Sequence, residues 1–212
     1  MSKRSFLFVI TCLALFFASC DDADLAKKAD GTWGTTVNMK DNEGNPFSEQ
    51  WIFKFKHVED DYKDGGTFVE QWHAAMKEEV DGLQVSYTYT TSISGDWEVL
   101  VGDLYLKYRL NTLEVSIEDV DLGLSEDADL ENVLEIMGIG FEAAFTGKDV
   151  EKLLKKEIRK NIYQSMYGNY EEQNSDSEEN GACFQNFMVN DDMLSFDTFD
   201  IGVVKFKRLK NE

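Results

Sequence analysis

The chain has 212 residues, with 21 basic and 41 acidic side chains and a formal net charge of −20. Such a surface repels the phosphates of nucleic acid rather than neutralising them, so no nucleic-acid partner is expected. Aromatic residues make up 13% of the chain, which supplies enough apolar volume for one core and predicts a single domain.

The first segment has the pattern of an export leader. Lys3 and Arg4 give a basic start, Phe6 to Phe17 form an apolar run of 12 residues, and Ala18-Ser19 are the small residues a peptidase needs. A bilayer span needs roughly 20 apolar residues, so residues 1–19 read as a signal rather than a transmembrane helix. Phe17-Ala18-Ser19-Cys20 resembles the bacterial lipobox, which implies cleavage before Cys20 and acylation of that residue. An ordinary cleaved signal peptide with Cys20 incidental is the alternative. The acids Asp21, Asp22 and Asp24 resemble the tag that sends lipoproteins of Bacteroidetes-type bacteria to the outer face of the outer membrane. The implied partner is the membrane, reached through the lipid anchor at Cys20, with the protein facing the cell exterior; multiple acyl chains suffice for stable attachment. Cys12 leaves with the leader and Cys20 is used as a thioether, so Cys183 stands alone and no disulfide framework is expected.

Residues 20–30 read as an acylated tether, with room for a helical turn over Ala23 to Asp30, and residues 31–212 as the domain. Gly31-Thr32-Trp33 opens the first strand, which stops at the turn cluster Asp41 to Pro46. Trp51, Phe53 and Phe55 alternate with Ile52, Lys54 and Lys56, the period-2 pattern of a half-buried strand. Asp60 to Gly66 predicts a break before Phe68, Glu70 and Trp72 alternate in a third strand. Val85, Tyr87 and Tyr89 follow the turn signal Asp81-Gly82, and Ser94-Gly95-Asp96 predicts another turn into Trp97 and Val99. Leu104, Leu106 and Tyr108, then Leu113, Val115 and Ile117, extend an antiparallel meander with no exact internal repeat beyond this rhythm.

The period then switches. Ser125 caps a predicted short helix with Leu130, Val133, Leu134 and Met137 on one face. A longer helix from about Lys148 carries Val150, Leu153, Leu154, Ile158, Ile162 and Met166 at near-3.6 spacing, with Gly168-Asn169 read as its stop. Residues 171–181 read as an acidic loop. Strands over 184–189, 194–199 and 203–208 end the chain, giving about nine strands and a two-helix insertion at about 125–168.

The Gly-x-Trp opening, the run of short antiparallel strands and the basic residue in the last strand resemble lipocalin-like (calycin) barrels. The chain is similar to the lipocalin-like lipoproteins common in Bacteroidetes. The resemblance implies a mainly β fold, an antiparallel meander closing into a lipocalin-like barrel with the two-helix insertion before the last strands. A β-sandwich with helices on one face is the alternative. It also implies a structural role for Gly31 and for Trp33, which would close one barrel end beneath Arg208, with Lys207 as the fallback.

Chemistry-bearing motifs are few. His57 and His73 lack zinc-site spacing, and Asp60 to Gln71 mimics a calcium loop but carries Tyr62 and Gln71 at two ligand positions. No nucleophile elbow, P-loop or dinucleotide fingerprint is present. No metal, cofactor or catalytic residue is therefore assigned, and a binding role is expected rather than an enzyme; a hydrolase using paired acids is the minor alternative. Eight strands enclose room for one small molecule, and Trp51, Phe53, Phe55, Trp72, Tyr87, Tyr89, Trp97 and Tyr105 are the candidate lining for a small apolar or amphipathic ligand. The other reading is a filled barrel whose exposed face binds a surface protein or a glycan. Lys148, Lys152, Lys155, Lys156, Arg159 and Lys160 give the long helix a basic face, either solvated or turned to lipid phosphates or an acidic partner.

Overall fold

The computed structural model describes residues 22–40, 46–60, 63–80, 83–124, 147–175, 181–198 and 201–210. A short helix, α1 (22–29), precedes β1 (Gly31–Lys40), β2 (Pro46–Asp60), β3 (Lys63–Val80), β4 (Leu83–Leu100), β5 (Asp103–Tyr108) and β6 (Glu114–Leu124). The long helix α2 (Gly147–Ser175) leads into β7 (Ala182–Val189), β8 (Met193–Thr198) and β9 (Gly202–Arg208). The predicted helix after Ser125 lies outside the described residues.

The strands pair in the order β3-β2-β1-β9-β8-β7-β5-β4, and β3–β4 pairing closes them into an eight-stranded antiparallel barrel. β6 stands outside the ring, paired to the first half of β4 from Leu83 to Ser92, while the second half of β4 pairs with β5. β2 accompanies β3 only as far as Ala74, so the distal β3–β4 hairpin, widened by β6, projects as a three-stranded ledge.

Alternation decides what fills the barrel. Trp51, Phe53 and Phe55 are buried while Lys54 and Lys56 are exposed. Phe53 meets Phe196 and Phe206 edge-on at 6.1 and 5.5 Å, an arrangement ring quadrupoles favour over a face-to-face sandwich. Phe68, Ile93, Leu104, Leu106 and Leu194 complete a continuous core.

Three local expectations give way to tertiary demands. The glycines of the predicted break at Asp60 to Gly66 lie within β3, because a Cβ on Gly65 would sit 2.0 Å from the Trp97 carbonyl oxygen and one on Gly66 2.0 Å from that of Lys56. Likewise Ser94-Gly95-Asp96 is no turn: β4 runs through it, and Gly95 leaves room for the Phe68 ring where β4 changes partner from β6 to β5. Residues 22–29 go beyond the helical turn allowed for in the tether and form a helix whose Ala26 and Ala29 are fully buried against one barrel end.

At that end Trp33 is buried, its indole N–H donates to the Ala29 carbonyl at 2.8 Å, and the Arg208 guanidinium lies 4.2 Å from its ring centroid. Arg208 also donates to the carbonyl oxygens of Lys28, Asp30 and Asp191. Gly31, at φ +137, leaves space for this guanidinium, which a Cβ would meet at 2.6 Å.

Candidate functional site

The opposite half of the barrel interior is polar at its heart. Glu49-Gln50-Trp51 on β2 and Glu70-Gln71-Trp72 on β3 are the same tripeptide, and the register sets Trp51 opposite Trp72. Period 2 turns both glutamates and both tryptophans inward and both glutamines outward. The indoles stack at 5.1 Å with a 12° interplanar angle. Trp51 donates its N–H to Glu49 Oε2 at 2.9 Å, and Trp72 donates to Glu70 Oε1. Tyr89 donates to the other Glu49 oxygen at 3.0 Å.

Helix α2 seals this region. Its first half lies along the ledge, with Ile158 and Ile162 packed against the cluster of Val85, Tyr87 and Ile117. The second half enters the barrel core through Met166 and Tyr170. Gly168-Asn169 does not end the helix, which runs to Ser175, because the next turn is held by the barrel. The Tyr170 ring lies 4.4 Å from Tyr108 and 6.5 Å from Trp72. Asn174 donates to the Tyr108 carbonyl and accepts from its amide, each at 2.9 Å, copying a strand partner at the end of β5. Residues 171–175 of the expected acidic loop are therefore helical, and residues 176–180 lie outside the described residues.

Burial pushes the Glu70 carboxyl up to about 7, against the opposing pull of hydrogen bonds from Trp72 and Tyr108. Burial also raises the Tyr108 and Tyr170 hydroxyls well above the usual phenol range, reinforced by the negative charge at Glu70. Among the described residues Glu70 Oε2, the Tyr170 hydroxyl and Gln173 Oε1 are buried without a hydrogen-bond partner.

The candidate lining residues are scattered relative to one cavity. Trp51, Phe53, Phe55 and Trp97 are buried in the barrel core, with Trp72 half-buried against it. Tyr87 and Tyr89 belong to the ledge beneath α2. Tyr105 lies on the outer face, where its hydroxyl is held up to about 12, first by a hydrogen bond with Cys183. Where these residues meet in the barrel core, rings pack on rings, as at Trp51–Trp72, Phe53–Phe55 and Phe55–Trp97.

One open cleft lies outside the ring. Between α2 and β6 runs a cleft of ≈ 690 Å³, walled by Lys155, Lys156 and Arg159 on one side and by Thr90, Ser92, Glu114, Ser116 and Gln71 on the other. Lys156 and Arg159 also border a second depression of ≈ 340 Å³ that continues along the helix to Tyr163. Tyr163 is exposed and stacks on Tyr167 at 6.0 Å. Of the predicted basic face, these three cations share a cleft with hydroxyl groups, a convergence that depends on β6 pairing outside the ring.

No protein family, curated protein or solved structure matches the chain. The eight-stranded antiparallel barrel is consistent with a lipocalin-like fold.

The sequence reading found no exact repeat, passed over Glu49 and took Glu70 only as a strand position. The signal that finds them is the twice-used Glu-Gln-Trp tripeptide, with spacing that lets two antiparallel strands set it face to face.

Proposed function

We propose that the chain is a lipid-anchored protein of the bacterial outer surface, held by Cys20, whose filled barrel is a scaffold and whose binding face is the α2–β6 cleft. Its ligand would be an acidic saccharide, and its role binding rather than catalysis. The observation that carries this reading is an open cleft in which cations face hydroxyls, beside a barrel core of closely packed aromatic rings. The cleft falls in the usual ligand-pocket range of roughly 300–1,000 Å³. Lys156 and Arg159 suit isolated carboxylates, Thr90, Ser92 and Ser116 can exchange hydrogen bonds with sugar hydroxyls, and Glu114 can accept from them. Tyr163 beyond them offers an aromatic face to a sugar ring. A long polyanion fits less well, because the chain as a whole carries −20. The paired glutamates do not line this cleft, which is why they are assigned no part in the binding.

Titration calorimetry with an oligogalacturonate, set against a neutral maltotetraose and inorganic phosphate, tests the reading. Binding of the oligogalacturonate alone is expected, weakened at least tenfold in K156A/R159A. Equal binding of the neutral sugar or of phosphate, or an unchanged affinity in the double variant, overturns it. Recovery of an apolar ligand from the barrel interior by native mass spectrometry would move the function to the interior instead.

A further inference from the structure

The exposed apolar side chains are unevenly placed. Among the described residues nine large hydrophobic side chains are exposed. Six of them, Val58, Leu100, Val101, Met188, Met193 and Leu209, gather around the end of the barrel that α1 covers. The pairings fix this: Val58 opposes Gly65, which opposes Glu98, so the β4–β5 turn with Leu100 and Val101 shares that end. The Phe187 amide donates to Gly102, bringing Met188 beside the same turn. Met193 follows the segment that Arg208 holds through Asp191, and the Leu209 amide donates to Thr32 at the start of β1. Ile201 and Val203 lie at the far end, and Tyr163 on α2.

The first described residue is fixed at the same place. The Asp22 carboxylate is buried and accepts from the amides of Val101 and Gly102 at 2.8 and 2.9 Å. Cys20 is two residues away. Val101 is 69% exposed and sits at φ 55, a left-handed conformation that disfavours β-branched residues. Glycine or asparagine would be the relaxed choice for a turn of this kind. An apolar, strained residue at an exposed tip is unfavourable in water and favourable where the tip meets hydrocarbon.

We infer that the α1 end of the barrel is a membrane-seating face, with Leu100, Val101 and their apolar neighbours resting in the headgroup–acyl boundary of a lipid bilayer. The inference rests on the reading of Cys20 as the acylated residue, which places the anchor within two residues of the seat. Charges of both signs flank the face, with Asp24 paired to Lys28 and Asp30 to Lys56, so seating depends on apolar contact rather than on anionic headgroups. The cleft between α2 and β6 is then left clear of the bilayer.

The test uses the full acylated protein in phosphatidylcholine vesicles, with and without brominated acyl chains. Trp33, Trp51 and Trp97 are buried and Trp72 half-buried, so an added surface tryptophan reports its own depth. V101W and, as a second probe at the same end, V58W are expected to be quenched by bromolipid at least twofold more than V203W at the far end. Vesicle flotation and the mass of the N-terminal residue, compared with Cys20→Ala, report the anchor separately. If the protein floats but all three probes are quenched alike, the seating is overturned while the anchor stands. If no acyl mass is found at Cys20, seat and anchor fall together.

Discussion

The two halves of the barrel interior solve opposite problems. At the α1 end the polar groups of Trp33 and Arg208 find backbone carbonyls, and the guanidinium covers the indole face. Under α2, two carboxylates are buried among aromatic rings, and three polar atoms there have no partner among the described residues. A satisfied polar group at a buried position adds stability, whereas an unsatisfied one costs about 1–3 kcal/mol. The first end is built to hold the barrel shut, and the second is the place where stability has been given up.

The comparison breaks most visibly at Trp33. Replacing it with alanine empties the fully buried site beneath Arg208 and should cost about 3–5 kcal/mol in chemical denaturation. A loss below about 1 kcal/mol would mean that α1 and Arg208 hold that end without the indole.

Glu70 sharpens the other half through pH. Its folded-state pKa of about 7 lies above the ordinary 4.5, so between these values the folded chain holds a proton that the unfolded chain has lost. The Glu70 contribution is therefore favourable at low pH and lost as pH rises from about 4.5 to about 7. E70Q removes the penalty of burying an ionised carboxylate and should stabilise the protein by about 3 kcal/mol at pH 8, and by little at pH 4. The measurement is the difference in unfolding free energy between wild type and E70Q across that range. A difference independent of pH would show that Glu70 is not the titrating group.

The smallest effect belongs to Tyr170. Its ring packs on Tyr108, while its hydroxyl is buried and unpartnered. Y170F keeps the ring and removes the orphaned group, so a change within about 1 kcal/mol, in the stabilising direction, is expected in thermal unfolding. A clear destabilisation would reveal a hydrogen bond that ties α2 to the glutamate pair.

Much of the ring was legible in the sequence by itself. Alternation at Trp51, Phe53 and Phe55 specifies which face of β2 is buried, because successive side chains leave a strand on opposite sides. The resemblance to lipocalin-like barrels sets Trp33 beneath Arg208, and the two do meet at the α1 end, where Gly31 leaves room for the guanidinium. What only the tertiary structure decided is who stands across from whom. Gly65, Gly66 and Gly95 carry the local signal of turns, yet they lie in strands because backbone or ring atoms from distant segments press on them. The stop at Gly168-Asn169 is overridden by Tyr108, which gives Asn174 two backbone partners. The glutamate–tryptophan pairs and the cationic cleft both arise from register and strand order, which join residues far apart in the chain. Periodicity tells a side chain which way to face, but long-range pairing determines what it meets there.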